Sequence, residues 1–472
     1  MQLPTHQTKI VATIGPASDS PEMLRRLLEA GMSIARLNFS HGDFDSHAKR
    51  IERLREAQAA TGLRLVIMAD LPGPKIRLGT IEPDPLELCA GDRFTLTTRD
   101  IVGNQERATI TLPELPRAVH PGDTLYVNDG LIQLVVEKTA GDEVTCLVAA
   151  GGELRSRKGV NLPGIALGLS AFTEKDRECL TFAIQHGVDA VSQSFVERAA
   201  DIEAVRGAAA AAGGRPFVIA KIERSNALEH IDEILKAADG IMVARGDLGV
   251  EVPIAEVAIA QKRLIARANI AGKPVITATQ MLESMVSSRL PTRAEATDVA
   301  NAILDGTDAV MLSAESATGR YPEDAVAMLA KIAAAIERHR PRVQLRLARR
   351  LLEDEVATQA TAVASVVEHT FETVPCAAVF VPTRSGATAR MISRYKPVAW
   401  IVALSHDPRV CQQLEFSYGV YPVDVPEPPD DWARYAERWA HDRGMSNARA
   451  LLITGASERD PNANPRLEFL RL

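Results

Sequence analysis

The sequence predicts an α/β fold, namely a (β/α)8 TIM barrel with an inserted small all-β lid domain and a C-terminal doubly wound α/β domain. Three observations predict it. Eight short apolar, β-branched segments alternate with amphipathic helical segments, as in parallel strands joined by crossover helices. The alternation stops after the third segment and resumes near residue 171. A second α/β series then follows a long helical stretch.

The barrel prediction depends on strands that are separated by helices. The predicted strands are Lys9–Ile14, Ser33–Asn38, Leu65–Asp70, Ala190–Phe195, Phe217–Ile222, Gly240–Ala244, Pro274–Ala278 and Ala309–Leu312. The predicted helices are Pro21–Ala30, Phe44–Ala60, Thr173–His186, Ala200–Ala212, Ala227–Ala237, Val257–Ala271 and Ala294–Asp305. These segments place the barrel at residues 1–71 and 170–345.

The interruption has no helical pattern. Short alternating segments and Pro-Gly-Asp and Asn-Asp-Gly turns predict strands instead, at Arg93–Thr98, Ala108–Thr111, Thr124–Asn128, Gln133–Glu137 and Glu143–Val148. We therefore expect a lid domain at residues 72–169, inserted over the catalytic face of the barrel.

A separate domain is predicted at residues 346–472. A helical stretch runs from Tyr321 to about Arg350, and a new α/β pattern then starts at Val356–Thr370. Its predicted strands are Ala377–Val381, Trp400–Leu404, Gly419–Val423 and Ala450–Ile453.

Composition excludes several classes of protein. The chain has 472 residues, with 54 basic against 61 acidic side chains and a net charge of −7. This balance argues against sequence-independent binding of nucleic acid, and no apolar run is long enough to predict a membrane span. The five cysteines are scattered without CxxC spacing, so we expect reduced thiols and a cytoplasmic protein.

Polar residues collect where the predicted barrel strands end, and in a barrel of this kind that rim carries the reaction site. Glu223 and Asp247 could hold a hard divalent cation, with Lys221 as a fixed positive charge beside it. Structural alternatives remain open for several rim residues. Asp70 could organise a turn, Ser40 could cap the next helix, Ser313 could pair with Glu315, and Lys221 could form an ion pair with a rim carboxylate.

Several long motifs resemble the pyruvate kinase family. They are Thr8-Lys-Ile-Val-Ala-Thr-Ile-Gly-Pro16, Gly31-Met-Ser-Ile-Ala-Arg-Leu-Asn-Phe-Ser-His-Gly42, Lys221-Ile-Glu223, Met242-Val-Ala-Arg-Gly-Asp-Leu-Gly249, Ala278-Thr-Gln-Met-Leu-Glu-Ser-Met285 and Pro291-Thr-Arg-Ala-Glu-Ala-Thr-Asp-Val-Ala-Asn-Ala302. The resemblance implies Mg²⁺-dependent phosphoryl transfer from phosphoenolpyruvate to ADP, which gives pyruvate and ATP in the final step of glycolysis. It also implies a homotetramer.

The resemblance further implies a role for each rim residue. Glu223 and Asp247 would bind Mg²⁺, Lys221 would stabilise the transferred phosphoryl group and the enolate, and Arg36 would bind the phosphate. The amides of Gly246 and Asp247 would hold the substrate carboxylate, and Thr279 would help deliver a proton. The nucleotide side would consist of Asn38, His41, Arg77 and Lys158, and a second Mg²⁺ would arrive with ADP.

One position departs from the usual family pattern. The side chains of Asn38, Ser40 and Asp70 and the carbonyl of Leu71 match the family's potassium site. At a neighbouring position where many family members have an acidic residue, this chain has Lys75. Members that work without potassium carry a lysine at that position, so the chain resembles that branch and we expect no potassium requirement. In the C-terminal domain, the loop with Thr383, Ser385, Gly386 and Thr388 matches the family's effector-phosphate loop, which predicts a phosphorylated allosteric effector.

Two other functions were weighed against this one. A Mg²⁺-dependent aldolase or carboxylase acting on pyruvate enolate would need the barrel carboxylates but not the lid or an ADP site, so the long lid insertion and Lys221 argue against it. A catalytically inactive regulator would be favoured by loss of Lys221, Glu223 or Asp247, and all three are present. An assay for pyruvate formation from phosphoenolpyruvate and ADP separates the three functions.

Overall fold

The computed structural model describes residues 3–128, 130–165, 168, 170–340, 358–455 and 464–472. Numbered along the chain, its strands are β1 (Lys9–Thr13), β2 (Ile34–Asn38), β3 (Val66–Leu71), β4 (Leu86–Leu88), β5 (Arg93–Thr97), β6 (Arg107–Thr109), β7 (Thr124–Val127), β8 (Ile132–Ala140), β9 (Glu143–Ala150), β10 (Gly152–Leu154), β11 (Val160–Asn161), β12 (Ala190–Gln193), β13 (Phe217–Ile222), β14 (Gly240–Ala244), β15 (Val275–Ala278), β16 (Ala309–Leu312), β17 (Ala378–Pro382), β18 (Trp400–Ser405), β19 (Val420–Asp424), β20 (Arg449–Thr454) and β21 (Arg466–Arg471).

Eight parallel strands close into the predicted barrel, in the order β1-β16-β15-β14-β13-β12-β3-β2. The register brings Lys221 opposite Met242 and Asn38 opposite Asp70, so the polar strand ends meet at one rim. Apolar side chains fill the interior, and Phe416 of the C-terminal domain packs with them and stacks on Phe217. The interior is therefore a packed core rather than a channel, and the rim is the open face.

Helices surround the barrel at Pro21–Glu29, Phe44–Thr61, Glu174–Gln185, Ala199–Ala211, Ser225–Glu229, Ile231–Ala237, Arg245–Glu251, Val257–Ile270, Arg293–Asp305, Ala314–Ala317 and Pro322–Ile336. The helix expected at Ala227–Ala237 is two helices, since His230 lies between them with φ −99° and ψ 13°. The helix Phe44–Thr61 is capped by Asp43, and Gly62 ends it at φ 66°. Ser40 is therefore not its cap.

The lid consists of a six-stranded sheet in the order β11-β7-β8-β9-β5-β6 and a pair, β10-β4. Its core is separate from the barrel core and includes Phe94, Leu125 and Leu134. The sequence pattern missed β4, β10, β11 and a four-residue helix at Leu115–Ala118. Elements of two to four residues are too short for a period-2 or period-3.6 pattern to stand out.

The C-terminal sheet has the order β19-β18-β17-β20-β21. Its helices are Gln359–Thr373, Ala387–Ser393, Pro408–Leu414 and Trp432–His441. The antiparallel edge strand β21 was not predicted, because its pattern near the chain end is mostly exposed and charged. The long helix was predicted to reach Arg350. In the structure the helix ends at Ile336 and is followed by a 3-10 turn at Glu337–His339. The last part of the predicted segment, residues 341–350, lies outside the described residues.

Across the described part of the chain, no helix is both long and apolar enough to cross a membrane.

Candidate active site

Four charged side chains from three barrel strands meet at the rim. Arg36 donates to Asp70 through Nε at 3.1 Å and Nη2 at 2.5 Å. Lys221 Nζ lies 3.3 Å from Asp70 Oδ1 and 2.8 Å from Glu223 Oε1. All four are nearly buried, with Asp70 2% and Glu223 1% exposed. Two cations are thus paired with two carboxylates, and buried charges are tolerated in a site of low dielectric when they are paired in this way.

Hydroxyl and amide groups fix these charges in place. Ser192 Oγ donates to Asp70 Oδ1 at 2.6 Å, and Lys221 Nζ donates to Ser194 Oγ at 2.6 Å. The backbone amide of Phe195 donates to Glu223 Oε2 at 2.8 Å. Both serines belong to β12 or follow it directly. Sequence reasoning missed them, although a strand with alternating hydroxyl side chains beside a charged strand was a usable signal.

The charges set the protonation states of the cluster. Burial favours the neutral form of Asp70, but Arg36 and Lys221 outweigh it and hold the pKa of this carboxyl well below its usual range. Burial likewise opposes the charge of Lys221, yet Asp70 and Glu223 raise the pKa of its ammonium above the usual value. Asp70 is therefore ionised and Lys221 protonated across the physiological pH range. The ion pair of Lys221 with Glu223, which was an open alternative, is present, and Lys221 lies at the C-terminal end of β13, on the rim side of the barrel.

A short helix starts where β14 ends and brings the second predicted metal ligand to the rim. The helix spans Arg245–Glu251, with Asp247 in its first turn. Gly246 lies against Thr279, since a Cβ built on Gly246 would lie 2.7 Å from Thr279 Cγ2. Thr279 has φ 74°, a left-handed conformation that is strained for a β-branched residue and must be held by its surroundings.

Arg245 holds this strained loop and was missed by sequence reasoning. Its Nε donates to the carbonyl of Ala278 at 3.1 Å and its Nη2 to the carbonyl of Thr279 at 2.7 Å. Its Nη1 lies 2.7 Å from Asp298 Oδ2. One guanidinium therefore ties the start of the short helix to the end of β15, which places Gly246, Asp247 and Thr279 side by side.

Glu223 and Asp247 suit a magnesium ion. They follow neighbouring paired strands, and the Asp247 side chain is exposed at the rim while Glu223 is held by two contacts. The described residues contain no group of three or more His, Cys, Asp or Glu side chains that could hold a metal by themselves. Mg²⁺ is commonly held by one or two carboxylates together with substrate oxygens and water, so two carboxylates are an adequate donor set.

The lid and the barrel enclose a cleft of about 530 Å³ next to this cluster. Lys75, Arg77 and Lys158 line it from the lid side, and Asp247 and Arg224 line it from the barrel. Arg77 Nη1 donates to the carbonyl of Arg157 at 3.0 Å, beside Lys158. The cleft is lined by several cations and opens onto the rim carboxylates, an arrangement suited to a polyphosphate with its metal.

The residues predicted for a monovalent cation also lie together. Asn38 and Asp70 are paired in the register of β2 and β3, and Asn38 Oδ1 accepts from the amide of Ser40 at 3.0 Å. The carbonyl of Leu71 accepts from Ser194 Oγ at 2.7 Å. The His41 side chain is exposed, and partial desolvation together with the nearby cations, Lys75 first, lowers its imidazole pKa, so it is neutral near pH 7.

Glu315 is committed to the backbone. Its Oε2 accepts from the amide of Ser313 at 2.7 Å and its Oε1 from the amide of Leu282 at 3.1 Å. The local pairing of Ser313 with Glu315, one of the open alternatives, is therefore present, and Glu315 supports the loop after β15.

The predicted effector loop follows β17 and lines a second cavity, of about 720 Å³, within the C-terminal domain. Thr383, Ser385 and Thr388 line this cavity together with His406 and Trp432. Gly386 does not line it. Instead, Gly386 has φ 75° and its amide donates to Thr383 Oγ1 at 2.9 Å, which fixes the turn into the helix Ala387–Ser393.

The fold and the rim together define a class of protein. A barrel whose rim combines a buried lysine, a buried arginine and two carboxylates that suit a metal, next to a cleft lined by lysine and arginine side chains of the lid, has the groups that phosphoryl transfer requires.

Comparisons with known proteins identify the member of that class. The family model for the pyruvate kinase barrel domain matches residues 5–326, and the model for the pyruvate kinase alpha/beta domain matches residues 361–463. The pyruvate kinase of Thermococcus litoralis is 49% identical over 431 residues, covering 90% of each chain. That of Geobacillus stearothermophilus is 46% identical over 424 residues, covering 89% of this chain and 72% of its own.

A solved structure is also similar along the whole chain. The crystal structure of a pyruvate kinase from Cryptosporidium parvum superposes with a TM-score of 0.92 at 36% identity, covering 99% of this chain and 96% of its own. The chain therefore belongs to the pyruvate kinase family. It is a phosphotransferase that catalyses the family's Mg²⁺-dependent glycolytic reaction, in which phosphoenolpyruvate and ADP give pyruvate and ATP.

Proposed function

We propose that the rim residues perform this reaction in the following roles. Arg36 and Lys221 bind the phosphoryl group of phosphoenolpyruvate, and Lys221 stabilises the charge that develops on the phosphoryl and enolate oxygens. The single observation that carries the proposal is Lys221 itself, a buried ammonium 2.8 Å from Glu223 at the open rim. Because this protonated amine is already held in place, it does not have to move when negative charge develops on the phosphoryl and enolate oxygens.

Glu223 and Asp247 hold Mg²⁺ in this proposal. The bound ion would polarise the phosphoryl and enolate oxygens as a Lewis acid. The amides of Gly246 and Asp247, in the first turn of the short helix, bind the substrate carboxylate, because the N-terminus of a helix favours an anion. Thr279 positions a proton donor beside the enolate carbon, through water, since a threonine hydroxyl is a poor acid by itself.

The metal assignment is tested by titration. Glu223→Gln and Asp247→Asn each remove one anionic ligand, so each variant should need more Mg²⁺ for half-maximal activity. Asp232→Asn is a control, because Asp232 is an exposed carboxylate of the barrel that pairs with Arg267 on the surface. If neither substitution moved the Mg²⁺ titration, the metal would lie elsewhere.

The lid cleft is the proposed ADP site. Arg77 and Lys158 bind the nucleotide phosphates from the lid. Asn38 and His41 are proposed to contribute from the barrel, although they do not line the cleft itself. A second Mg²⁺ arrives with ADP. The cationic lining of the cleft supports this assignment, and so does its position beside Asp247.

We further propose that potassium is not required, as expected for the branch that carries Lys75. The pKa of Lys75 is lowered by partial desolvation and by the nearby ammonium of Lys221, whereas Asp70, Asp247 and Glu223 act in the opposite direction. The amine of Lys75 is thus electrically coupled to the reacting site rather than independent of it. A tethered ammonium can supply the charge that a free potassium ion supplies elsewhere in the family.

A phosphorylated metabolite is the proposed effector, bound at Thr383, Ser385, Gly386 and Thr388. Hydroxyl groups and a helix start beside a roomy cavity support anion binding there. The alternative is an ordinary capped turn. Sugar phosphates and nucleotides should be screened against the wild type and Ser385→Asp. A response that survives the substitution unchanged would place the effector elsewhere.

The remaining family features are proposals on similar grounds. We propose the domain limits given by the sequence pattern, with the barrel at 1–71 and 170–345, the lid at 72–169 and the regulatory domain at 346–472. A cytoplasmic location is supported by five free cysteines. A homotetramer is supported by exposed apolar side chains on two parts of the chain, Ile254 and Ile259 on the barrel and Val366 and Phe469 on the C-terminal domain.

A further inference from the structure

Arg224 directly follows the proposed metal ligand Glu223 and has no role in the chemistry described above. Its side chain is 7% exposed, and it lines the inner end of the lid cleft. A buried guanidinium is costly unless its N–H groups have acceptors. The acceptors around Arg224 therefore indicate which part of the structure this side chain positions.

Two of those partners belong to the return path from the lid to the barrel. Arg224 Nη2 donates to the carbonyl of Ile165 at 3.0 Å and, more weakly, to that of Leu162 at 3.5 Å. Both carbonyls follow β11, the last lid strand. The side chain of Arg224, at the C-terminal end of β13, therefore binds the backbone segment that leads from the lid back to the barrel.

The two lid connections are also tied to each other. The amide of Val160 donates to the carbonyl of Ile76 at 3.0 Å, and the amide of Leu78 donates to the carbonyl of Lys158 at 2.9 Å. Fixing the return path therefore fixes the outgoing path as well. The outgoing path carries Lys75 and Arg77.

The rest of the Arg224 guanidinium faces two carboxylates of the barrel at ion-pair distance, and its Nε has no hydrogen-bond partner among the described residues. Nη1 lies 3.4 Å from Glu251 Oε1, at the end of the short helix that carries Asp247, and Nε lies 3.2 Å from Glu197 Oε1. Burial raises the pKa of the Glu251 carboxyl despite Arg224. The protein therefore bears the cost of burying Glu251 beside this guanidinium, while Nη2 is directed to the lid by its own bonds to the two carbonyls.

We infer that Arg224 is a positioning residue that fixes the position of the lid relative to the barrel at the nucleotide cleft. The planar fork of arginine fixes direction as well as distance, which a lysine would not do. Arg224 does not touch the reacting atoms. It acts through the lid backbone on Arg77 and Lys158, and the inference rests on the proposed ADP site.

The test compares two variants that remove the same ion pair. Glu251→Gln breaks the pair but keeps the bonds from Arg224 to the lid carbonyls. The double variant Arg224→Met with Glu251→Gln removes those bonds as well, without leaving a buried carboxylate uncompensated, so that the protein can still fold. Arg206→Met is a matched control, because Arg206 also donates to a carbonyl, that of Ala237, but at the opposite end of the barrel.

The double variant should raise the KM for ADP by about tenfold or more, from the loss of charged hydrogen bonds, and change the KM for phosphoenolpyruvate much less. Hydrogen exchange of the amides from Val160 to Ile165 should become faster. Glu251→Gln and Arg206→Met should stay near the wild type in both measurements.

Lys158→Ala separates failure of this inference from failure of the ADP site. If Lys158→Ala raises the KM for ADP and the double variant does not, Arg224 does not position the lid. If neither moves it, the nucleotide binds elsewhere and both proposals fail. An equal effect in Glu251→Gln and the double variant would make the ion pair, not the lid contact, the important feature.

Discussion

At the residue scale, the site is a balanced set of charges rather than a single reactive group. Arg36 and Lys221 neutralise Asp70 and Glu223, and each ion is held by a neutral partner from the protein. The net effect is a fixed ammonium and a fixed guanidinium at a rim that would otherwise repel an anionic substrate. Lys75 extends this set toward the lid.

The role of Lys75 predicts how the enzyme responds to monovalent cations. Rates in potassium and in a bulky organic cation at matched ionic strength should differ by less than about tenfold, ~1.4 kcal/mol of barrier. Lys75→Glu should create a dependence on potassium, since an acidic side chain would return beside Asn38, Ser40 and Asp70. Lys138→Glu, at an exposed position on the lid strand β8, controls for reversal of charge. A wild type activated more than tenfold by potassium would contradict the proposal.

Strand ends made Lys221, Glu223 and Asp247 predictable from the sequence, because polar residues after buried strands must meet at one rim. Arg245 and Ser194 were not predictable in the same way. Their importance lies in what they contact across the fold, the carbonyls of Thr279 and Leu71. A sequence pattern locates a residue on its own element but does not identify its partner.

At the element scale, the junction between β14 and the helix Arg245–Glu251 positions the residues that are proposed to bind the substrate carboxylate. Gly246 leaves room for Thr279, whose left-handed backbone is held by Arg245. The element is short, and its position depends on this close contact rather than on helix propensity.

Gly246→Ala should therefore lower kcat markedly, since its Cβ would lie 2.7 Å from Thr279 Cγ2 and push the two apart. We expect a loss of about 100-fold, in line with a misplacement of about 1 Å at a catalytic group. Gly249→Ala is the control in the same helix. Its nearest side-chain atom, Val257 Cγ2, would be 3.6 Å away, an ordinary contact. Similar kcat values for the two variants would show that the contact with Thr279 does not matter.

The barrel elements were predicted almost to their ends, and the strands Phe217–Ile222, Gly240–Ala244 and Ala309–Leu312 match the structure. Long, buried and regularly spaced segments carry a strong pattern. The lid strands β4, β10 and β11 carry little pattern of their own and are defined by pairing with distant strands.

At the scale of the whole molecule, the C-terminal domain docks on the barrel face opposite the rim through buried charges. Lys396 Nζ lies 2.6 Å from Asp308 Oδ1, and Asp308 also accepts from the amides of Val275 and Tyr418. Lys9 pairs with Glu415 at 2.8 Å beside it. The sequence predicted both domains but not this docking, because each partner looks like an isolated polar residue in its own segment.

The pair predicts how stability changes with pH. Burial lowers the pKa of Lys396 to about 8. Asp308 opposes this shift, and Arg340 adds to it. The folded-state pKa is below the unfolded value of about 10.4, so the unfolded chain binds more protons between these limits. This site should therefore add about 1.4 kcal/mol of stability per pH unit as pH rises above about 8.

The measurement is the melting temperature of the wild type minus that of Lys396→Met, at about pH 7 and at about pH 9. Other titrating groups cancel in this difference, which should grow with pH. Lys262→Met, which removes a half-exposed lysine paired with Asp305, should show no such growth. A difference that stayed constant or shrank with pH would contradict the burial of a shifted amine at the interface.

The central claim is that the buried ammonium of Lys221 stabilises the transferred phosphoryl group and the enolate. The most direct test is the rate of pyruvate formation from phosphoenolpyruvate and ADP at saturating Mg²⁺, for the wild type and Lys221→Met. A melting curve should accompany it to confirm that the variant is folded. We predict that the wild type turns over and that kcat of the folded variant falls by about 100-fold to 1,000-fold, roughly 3–4 kcal/mol of barrier. A folded Lys221→Met variant with near-normal kcat would contradict the claim.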